Sequence, residues 1–139
     1  MAEGKYIVAS GPVIIEDGKI LVAKDNKDDF YKFIGGTVQE GESLEEACIR
    51  KAKQAANAEI QIIKPLSPNI LYENPQTKEK MTIVLINYLA KLKNKSKIKP
   101  IPPEQDLRGV NIKDVKGGKE NVSPNVRMLV EKEYKNLLN

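Results

Sequence analysis

The stretch that decides the fold reads Gly35-Gly36-Thr37-Val38-Gln39-Glu40-Gly41-Glu42-Ser43-Leu44-Glu45-Glu46-Ala47-Cys48-Ile49-Arg50. Its two opening glycines lack side chains, so the backbone there can adopt unusual angles or approach a ligand closely. Ser43 followed three residues later by Glu46 is a capping box, which predicts the start of a helix. The alanine-rich residues 52–58 extend that helix, and Asn57 is its predicted stop. Its apolar stripe is Leu44, Ala47, Cys48, Ala52 and Ala55.

Strand-like segments surround this helix on both sides. Asp17-Gly18 predicts a hairpin turn, and Asn74-Pro75-Gln76-Thr77 predicts another turn. The predicted strands are rich in β-branched and aliphatic residues and cover 5–15, 19–23, 31–34, 37–39, 59–63, 69–73, 81–90 and 107–115. Ser123-Pro124 predicts the start of a last helix, because proline is favoured at the first helical position. Its predicted buried face is Val126, Leu129, Val130, Tyr134 and Leu137.

This order of elements, strands followed by one helix, then more strands and a terminal helix, predicts an α+β layered fold. A chain of 139 residues fits a single domain over residues 1–139. No apolar run approaches the roughly 20 residues of a membrane helix, and the N-terminus lacks the layout of a secretion signal. We therefore expect a cytoplasmic protein that does not enter a membrane.

The quoted stretch resembles the first half of a Nudix box, the loop-helix motif of hydrolases that cleave nucleoside diphosphates linked to another moiety. The family pattern runs Gly, five residues, Glu, seven residues and Arg, and Gly36, Glu42 and Arg50 match it in register. Ser123-Pro124-Asn125-Val126-Arg127 also resembles the start of a terminal Nudix helix. The resemblance covers nearly the whole chain and implies an α/β/α sandwich with a mixed central β-sheet. It also implies an ion pair between Glu42 and Arg50 that holds the loop onto the helix.

The second half of the pattern departs from the family. Its three glutamates are replaced by Lys51, Gln54 and Ala55. Helix positions i, i+3 and i+4 lie on one face, so carboxylates there would converge as ligands for Mg²⁺ or Mn²⁺. A protonated lysine has only donors, a glutamine is a weak neutral ligand and an alanine is none. We therefore expect no metal at this cluster and impaired hydrolysis, with Glu40 as the one candidate catalytic residue.

The predicted ligand-binding residues are Gly35, Gly36, Glu40, Lys51 and Gln54. Lys51 lies inside the apolar stripe of the helix, where a charge is costly unless it reaches water or a partner. Two interpretations stay open. Either the side chain extends past small alanines to water, or its ammonium occupies the space of the absent metal and attracts a phosphate.

The composition limits the chemistry further. The chain contains no histidine, which excludes histidine-based catalysis and metal binding, and Cys48 is the lone cysteine, a predicted buried filler. The net charge of +4 weakly favours an anionic partner. Lysines alternate through residues 91–99, from Lys91 to Lys99, and predict either a solvated loop or edge strand, or a contact surface for nucleic-acid phosphates.

Three functions remain open from the sequence. The first is a non-catalytic domain that binds a nucleotide, a nucleotide-sugar or RNA, with stacking faces from Tyr31, Phe33, Tyr72 or Tyr88. The second is an active hydrolase of ADP-ribose-like or nucleoside triphosphate substrates that uses Mg or Mn held by displaced ligands, namely Glu40, Glu42, Glu73 or Glu79. The third is a structural or regulatory interaction subunit, and a homodimer is possible in each case.

Overall fold

The computed structural model describes residues 4–138 and shows a seven-stranded mixed sheet between helices. The strands are β1 (Tyr6–Glu16), β2 (Lys19–Asp25), β3 (Gly36–Thr37), β4 (Ile60–Pro65), β5 (Asn69–Glu73), β6 (Lys80–Leu92) and β7 (Glu104–Asn111). The helices are α1 (Leu44–Ala56), α2 (Ile112–Lys116) and α3 (Pro124–Leu138). No helix in this part of the chain is long and apolar enough to cross a membrane.

The sheet is organised around β1 and β6, each of which pairs with three other strands. β1 runs parallel to β6 from the Tyr6–Thr82 pair to the Ile14–Ala90 pair. Its far end turns back into β2, which pairs with β7 in antiparallel fashion. β4 and β5 both pair antiparallel with β6, and the short β3 pairs with β1. The predicted α+β fold with a mixed central sheet is confirmed.

Two cores lie on opposite faces of this sheet, because successive strand side chains point to opposite sides. Ile14 of β1 packs with Cys48, Ala52 and Ala56 under α1. Its neighbour Val13 packs in the other core, against buried residues of α3 and β7 such as Leu129. The helices therefore cover both faces, as a three-layer sandwich requires.

The local signals around α1 and the first hairpin are confirmed. Asp17 and Gly18 both have positive φ, at 51° and 73°, as a two-residue hairpin turn demands. Ser43 Oγ accepts from Glu46 N at 3.0 Å, and Glu46 Oε1 accepts from Ser43 N at 2.8 Å, so the capping box is complete. Asn57 ends the helix in the left-handed conformation.

Three strand predictions are wrong in extent. The predicted strand 107–115 ends at Asn111, whose side chain accepts from Lys113 N at 2.9 Å and caps α2 instead. The predicted strands 31–34 and 37–39 are reduced to single bridges at Tyr31 and Lys32 and to the two residues of β3. Between residues 31 and 39 the backbone packs closely against β1 at Ile34 and Gly35 and does not form long strands.

The last helix begins where Ser123-Pro124 predicts, and its buried face is confirmed for Val126, Leu129, Val130 and Leu137, with Tyr134 partly buried against the same core. Asn125, the second helical residue, is also buried. The helix kinks at Glu133, whose φ of −113° and ψ of 15° are not helical. The first turn contacts β6 through the hydrogen bond that Asn125 Nδ2 donates to Asn87 Oδ1 at 3.3 Å.

Candidate ligand-binding cleft

Backbone packing between β1 and the loop that follows residue 33 builds one wall of a cleft. A Cβ on Gly11 would lie 2.1 Å from the carbonyl oxygen of Ile34, so no side chain fits there. Gly35 also packs against Ser10, since a Cβ on Gly35 would lie 2.9 Å from the carbonyl oxygen of Ser10. Predicted site residues Gly35 and Gly36 both line the cleft. The absence of side chains at Gly11 and Gly35 allows β1 and the following loop to come into direct backbone contact.

The cleft itself lies between this wall and strands β5 and β6 and has a volume of about 200 Å³. Its apolar walls come from side chains on three segments, including Phe30, Phe33, Leu71 and Ile83. Amide side chains interrupt these walls at the floor and rim: Asn74, Gln76, Asn87 and Asn125. An apolar slot with a few placed polar groups is the usual form of a small-molecule site.

The polar floor is a set of buried amides that the sequence reasoning missed. Asn125 at the start of α3 donates from Nδ2 to Asn87 Oδ1 at 3.3 Å, and Asn87 donates to the carbonyl oxygen of Gly11 at 3.2 Å. Asn69, which is 2% exposed, donates to Asn125 Oδ1 at 2.8 Å. The signal in the sequence was Asn87, the one polar side chain between Ile83 and Ala90.

Glu42 and Arg50 form a two-pronged ion pair at the start of α1. Arg50 Nε lies 2.6 Å from Glu42 Oε2, and Arg50 Nη2 lies 2.8 Å from Glu42 Oε1. Glu42 Oε1 also accepts from Gln39 N, and Arg50 Nη2 donates to the carbonyl oxygen of Thr37. The hydrogen bonds from Arg50 and from Gln39 lower the pKa of Glu42 to about 2. The pair fixes the loop between β3 and α1.

Lys51 lies directly over Gly36. A Cβ on Gly36 would be 2.6 Å from Lys51 Cε and 2.9 Å from Lys51 Nζ. The ammonium is close enough to Glu42 to contribute to the low pKa of that carboxyl group. No carboxylate of residues 4–138 comes within 4.0 Å of Lys51 Nζ. A positive charge without a paired acid therefore stands beside a glycine that lines the cleft.

The residues on this face of α1 do not fit a divalent metal ion. Lys51 presents an ammonium, and Gln54 Oε1 already accepts from Arg50 Nη1 at 3.1 Å. Ala55 is half-buried, and its carbonyl accepts from Ile101 N at 2.9 Å, so chain from the loop before β7 lies against it. Hard divalent ions need several oxygen ligands. No group of three or more His, Cys, Asp or Glu side chains within residues 4–138 is arranged to supply them.

The other acidic candidates lie apart from this face or are already engaged. Glu73 pairs with Lys80 at 2.9 Å, and Glu79 pairs with Lys5 at 3.7 Å. Glu40 is exposed in the loop before α1 and does not line the cleft. The structure therefore places Lys51 against Gly36, next to Gly35, whereas Lys51, Gln54 and Glu40 are not among the residues that line the cleft.

A second charged cluster, also missed from the sequence, is centred on Lys32, a residue that lines the cleft. Lys32 Nζ is 2.8 Å from Asp28 Oδ2, 3.6 Å from Asp25 Oδ2 and 3.7 Å from Glu104 Oε1. Burial raises the pKa of Glu104, since Lys32 offsets only part of that effect. For Asp28, burial acts upward, but hydrogen bonds from Asp25 N and Lys32 outweigh it and lower the pKa. Lys32 is thus surrounded by acids and is not free for an anion.

The remaining predicted groups have other environments. Tyr88 and Phe33 are buried, Tyr31 lies between Lys24 and Arg108, and Tyr72 is exposed. Cys48 is buried, and this burial raises its pKa to about 12, which agrees with its predicted role as a packing residue. Of the lysine-rich stretch 91–99, the first residues extend β6, and the backbone of residues 95–97 forms a short 3-10 turn. Nucleic-acid binding by that stretch stays a prediction.

Comparison with known proteins decides the family. The sequence model of the NUDIX domain matches residues 5–129. The chain belongs to the Nudix family. No curated protein sequence matches it significantly.

Solved Nudix structures share the fold at low identity. The MutT protein from Methanosarcina mazei Go1 is 16% identical, with a TM-score of 0.82 over 98% of each chain. A C. elegans Ap4A hydrolase in a binary complex is 20% identical, with a TM-score of 0.73 over 95% of this chain and 98% of that one. A MutT NUDIX hydrolase from Burkholderia pseudomallei is 18% identical, with a TM-score of 0.76 over 92% and 98%. At these identities the likeness shows the fold, and the chemistry has to be argued from this chain's own residues.

Proposed function

We propose that this Nudix domain binds a nucleotide or nucleotide-sugar without the metal cluster of the family, and that hydrolysis by the usual metal route is impaired. The observation that carries the proposal is the position of Lys51, whose ammonium lies over Gly36 with no carboxylate partner. In this arrangement Lys51 holds the diphosphate, and the base enters the cleft beyond Gly36. Gly35, Gly36 and Lys51 are the ligand-binding residues.

The charge distribution supports an anionic ligand beside Gly36. Lys32, which lines the cleft, is balanced by three carboxylates, so an anion gains little there. Lys51 has no such partner, and the whole chain carries a net charge of +4. An ammonium and a phosphate oxygen about 4 Å apart attract by about 1 kcal/mol in water and about 4 kcal/mol near a protein surface.

The shape of the cleft supports a flat heterocycle at its other end. Phe30, Phe33 and Leu71 offer apolar surface to the faces of a ring, and the buried amides of Asn87 and Asn125 offer polar contacts to its edge. The solved relatives include an Ap4A hydrolase and a UDP-X diphosphatase, so nucleotide ligands occur on this fold. The ligand class follows from that combination of a cation, an apolar slot and an amide floor.

The loss of metal-dependent turnover follows from the side chains at 51, 54 and 55. An ammonium stands where a carboxylate ligand would be needed, and its charge repels a divalent cation. Glu40 remains the candidate catalytic residue only if a different ligand set is assembled when substrate binds. RNA presents the same bases and phosphates, and it is a competing ligand in the tests below.

Isothermal titration of ADP and ADP-ribose, in EDTA and then in Mg²⁺, tests the proposal. We expect binding in EDTA, and Lys51→Met should weaken it about tenfold or more. Lys53→Met is the matched control, because Lys53 is an exposed lysine on the same helix. Binding that survives Lys51→Met unchanged contradicts the proposal.

Two further outcomes would favour the other functions. Steady turnover of a nucleotide panel with Mn²⁺, abolished by Glu40→Gln, would mean an active hydrolase with displaced ligands. No binding of nucleotides or of short RNA would leave an interaction subunit whose cleft has no ligand. Either result overturns the assignment.

A further inference from the structure

Apart from the two-residue β3, three strands of the sheet pair with only one other strand within residues 4–138, namely β4, β5 and β7. The outer edge of such a strand carries backbone N–H and C=O groups that can pair with another chain, and proteins commonly protect it with charged residues or proline. β7 carries Glu104, Asp106 and Arg108, and β4 ends in Lys64-Pro65. β5 contains no lysine, arginine or proline, so it is the least protected of the three edges.

The side chains of β5 alternate regularly between the two faces of the sheet. Its register with β6 shifts between Leu71 and Glu73, but the extra residue belongs to β6, so β5 itself carries no bulge. Ile70 and Tyr72 lie on the opposite face from Leu71 and are 44% and 69% exposed. A regular strand with exposed apolar side chains can accept another strand beside it and keep its own alternation.

The two ends of β5 carry opposite charges. At its beginning, Asn69 Nδ2 donates to Asn125 Oδ1 at 2.8 Å, and Lys132 Nζ donates to Asn69 Oδ1 at 2.8 Å. No carboxylate of residues 4–138 lies within 4.0 Å of Lys132 Nζ. At its end, Glu73 Oε1 accepts from Lys80 at 2.9 Å, whereas Oε2 accepts no hydrogen bond from this part of the chain. An ammonium without an acid and a carboxylate with a spare oxygen therefore flank the same edge.

A second copy of β5 is complementary to the first when the two strands run antiparallel about Leu71. In that register Ile70 faces Tyr72 of the second copy, an aromatic and β-branched pair of the kind that stabilises neighbouring strands. Lys132, beside the first residue of the strand, faces Glu73 of the second copy, and the two-fold axis forms the same ion pair twice. A parallel arrangement would instead bring like charges together at both ends.

We propose that two copies of this chain associate through β5, in antiparallel register about Leu71, so that one sheet continues from one copy into the other. A second copy fits this edge because its opposite charges match under a two-fold axis. The two clefts then lie on either side of that axis, since Leu71 also lines the cleft. This association needs no ligand, so it is independent of the proposed function.

Sedimentation velocity over a concentration series of the wild-type chain tests whether the dimer forms. An edge of five residues is smaller than a standard protein interface, so we expect a weak dimer with a dissociation constant of roughly 10–100 μM. Tyr72→Lys should weaken it by about tenfold or more, because a lysine on the edge opposes strand pairing. Tyr6→Lys is the matched control, since Tyr6 is 73% exposed on β1 and β6 separates β1 from β5. The control should leave the dissociation constant unchanged.

Glu73→Lys and Lys132→Glu test the register. Alone, each variant sets like charges against each other at both ion pairs of the dimer, so each should dimerise about tenfold more weakly. In an equimolar mixture, the new lysine of one variant faces the new glutamate of the other, and the unchanged Lys132 and Glu73 face each other as before. The mixture should therefore dimerise as strongly as the wild-type chain. Glu59→Lys, which breaks the exposed pair with Lys53 outside β5, is the control and should leave the dimer unchanged.

Every other outcome counts against the proposal. A wild-type chain that stays monomeric up to about 1 mM, well above the expected range, overturns it. A dimer that survives Tyr72→Lys is formed elsewhere on the molecule, and one that Tyr6→Lys weakens equally covers the face of the sheet rather than its edge. If both charge variants are folded by circular dichroism and their mixture does not regain the dimer, the antiparallel register is wrong.

Discussion

Replacing Lys51 and Gln54 by glutamate tests whether the side chains at these two positions decide metal binding on this face of α1. The double substitution exchanges one positive charge for two negative ones on a single helix face. The new carboxylate at 51 would reach the space over Gly36 that the lysine now fills, and the one at 54 would lie beside Arg50. Ala55 stays unchanged, because the backbone of Ile101 packs against it.

The expected size of the effect follows from binding linkage. A ligand present at 100 times its dissociation constant stabilises the folded state by about 2.7 kcal/mol. For a domain of this length about 1 kcal/mol raises Tm by about 3 °C, so saturating Mn²⁺ should raise the Tm of the double variant by about 8 °C. Without metal the variant should melt below the wild-type protein, because two acids and Glu42 then repel one another.

Thermal melting across a Mn²⁺ titration measures this, and free Mn²⁺ can be followed in parallel by electron paramagnetic resonance. Lys53→Glu with Gln61→Glu makes the same charge change at exposed positions and should show no such shift. A wild-type protein that gains the same 8 °C would refute the reasoning, since the present side chains would then already hold the ion. A folded double variant whose Tm does not change with Mn²⁺ would also refute it.

Two further predictions concern the stability of the α1 region. The pKa of Glu42 is about 2, below its usual value of 4.5, so the ion pair with Arg50 stabilises the fold above pH 4.5, and this stabilisation is lost as the pH falls from 4.5 towards 2. Glu42→Gln should therefore flatten the acid limb of a pH–stability curve measured by urea unfolding, and an unchanged curve would argue against the pair. Ser43→Ala removes the acceptor for Glu46 N and should cost about 1 kcal/mol in the same assay, whereas Ser43→Asp, another good cap, should cost far less.

The sequence predicted those parts of the fold that depend on neighbours along the chain. The capping box of Ser43 and Glu46, the Asp17-Gly18 turn and the stop at Asn57 are each decided within a few residues, and all three are confirmed. The prediction of a strand over residues 107–115 was wrong because the side chain of Asn111 accepts a hydrogen bond from Lys113 N and begins a helix. That choice depends on the packing of Ile112 and Val115 under α3, which a local pattern does not contain.

The site was less predictable, because its groups come from distant parts of the chain. Lys32 meets Glu104, and Asn87 meets Asn125, across 72 and 38 residues that no spacing rule connects. Lys51 was visible as a charge inside an apolar stripe, but its position over Gly36 required the structure. An isolated polar residue in an apolar strand, as at Asn87, was the one available hint of the buried amides.

The contact between Gly11 and Ile34 limits how this molecule can change. A single methyl group at residue 11 would meet the opposite carbonyl oxygen at 2.1 Å and force apart the two strips of main chain that form the wall. Positions 51 and 54 on α1 face no such obstruction from backbone pressed against backbone. The architecture thus separates a rigid frame from an interchangeable chemical surface, and a new activity would be easiest to install on the helix without touching the wall.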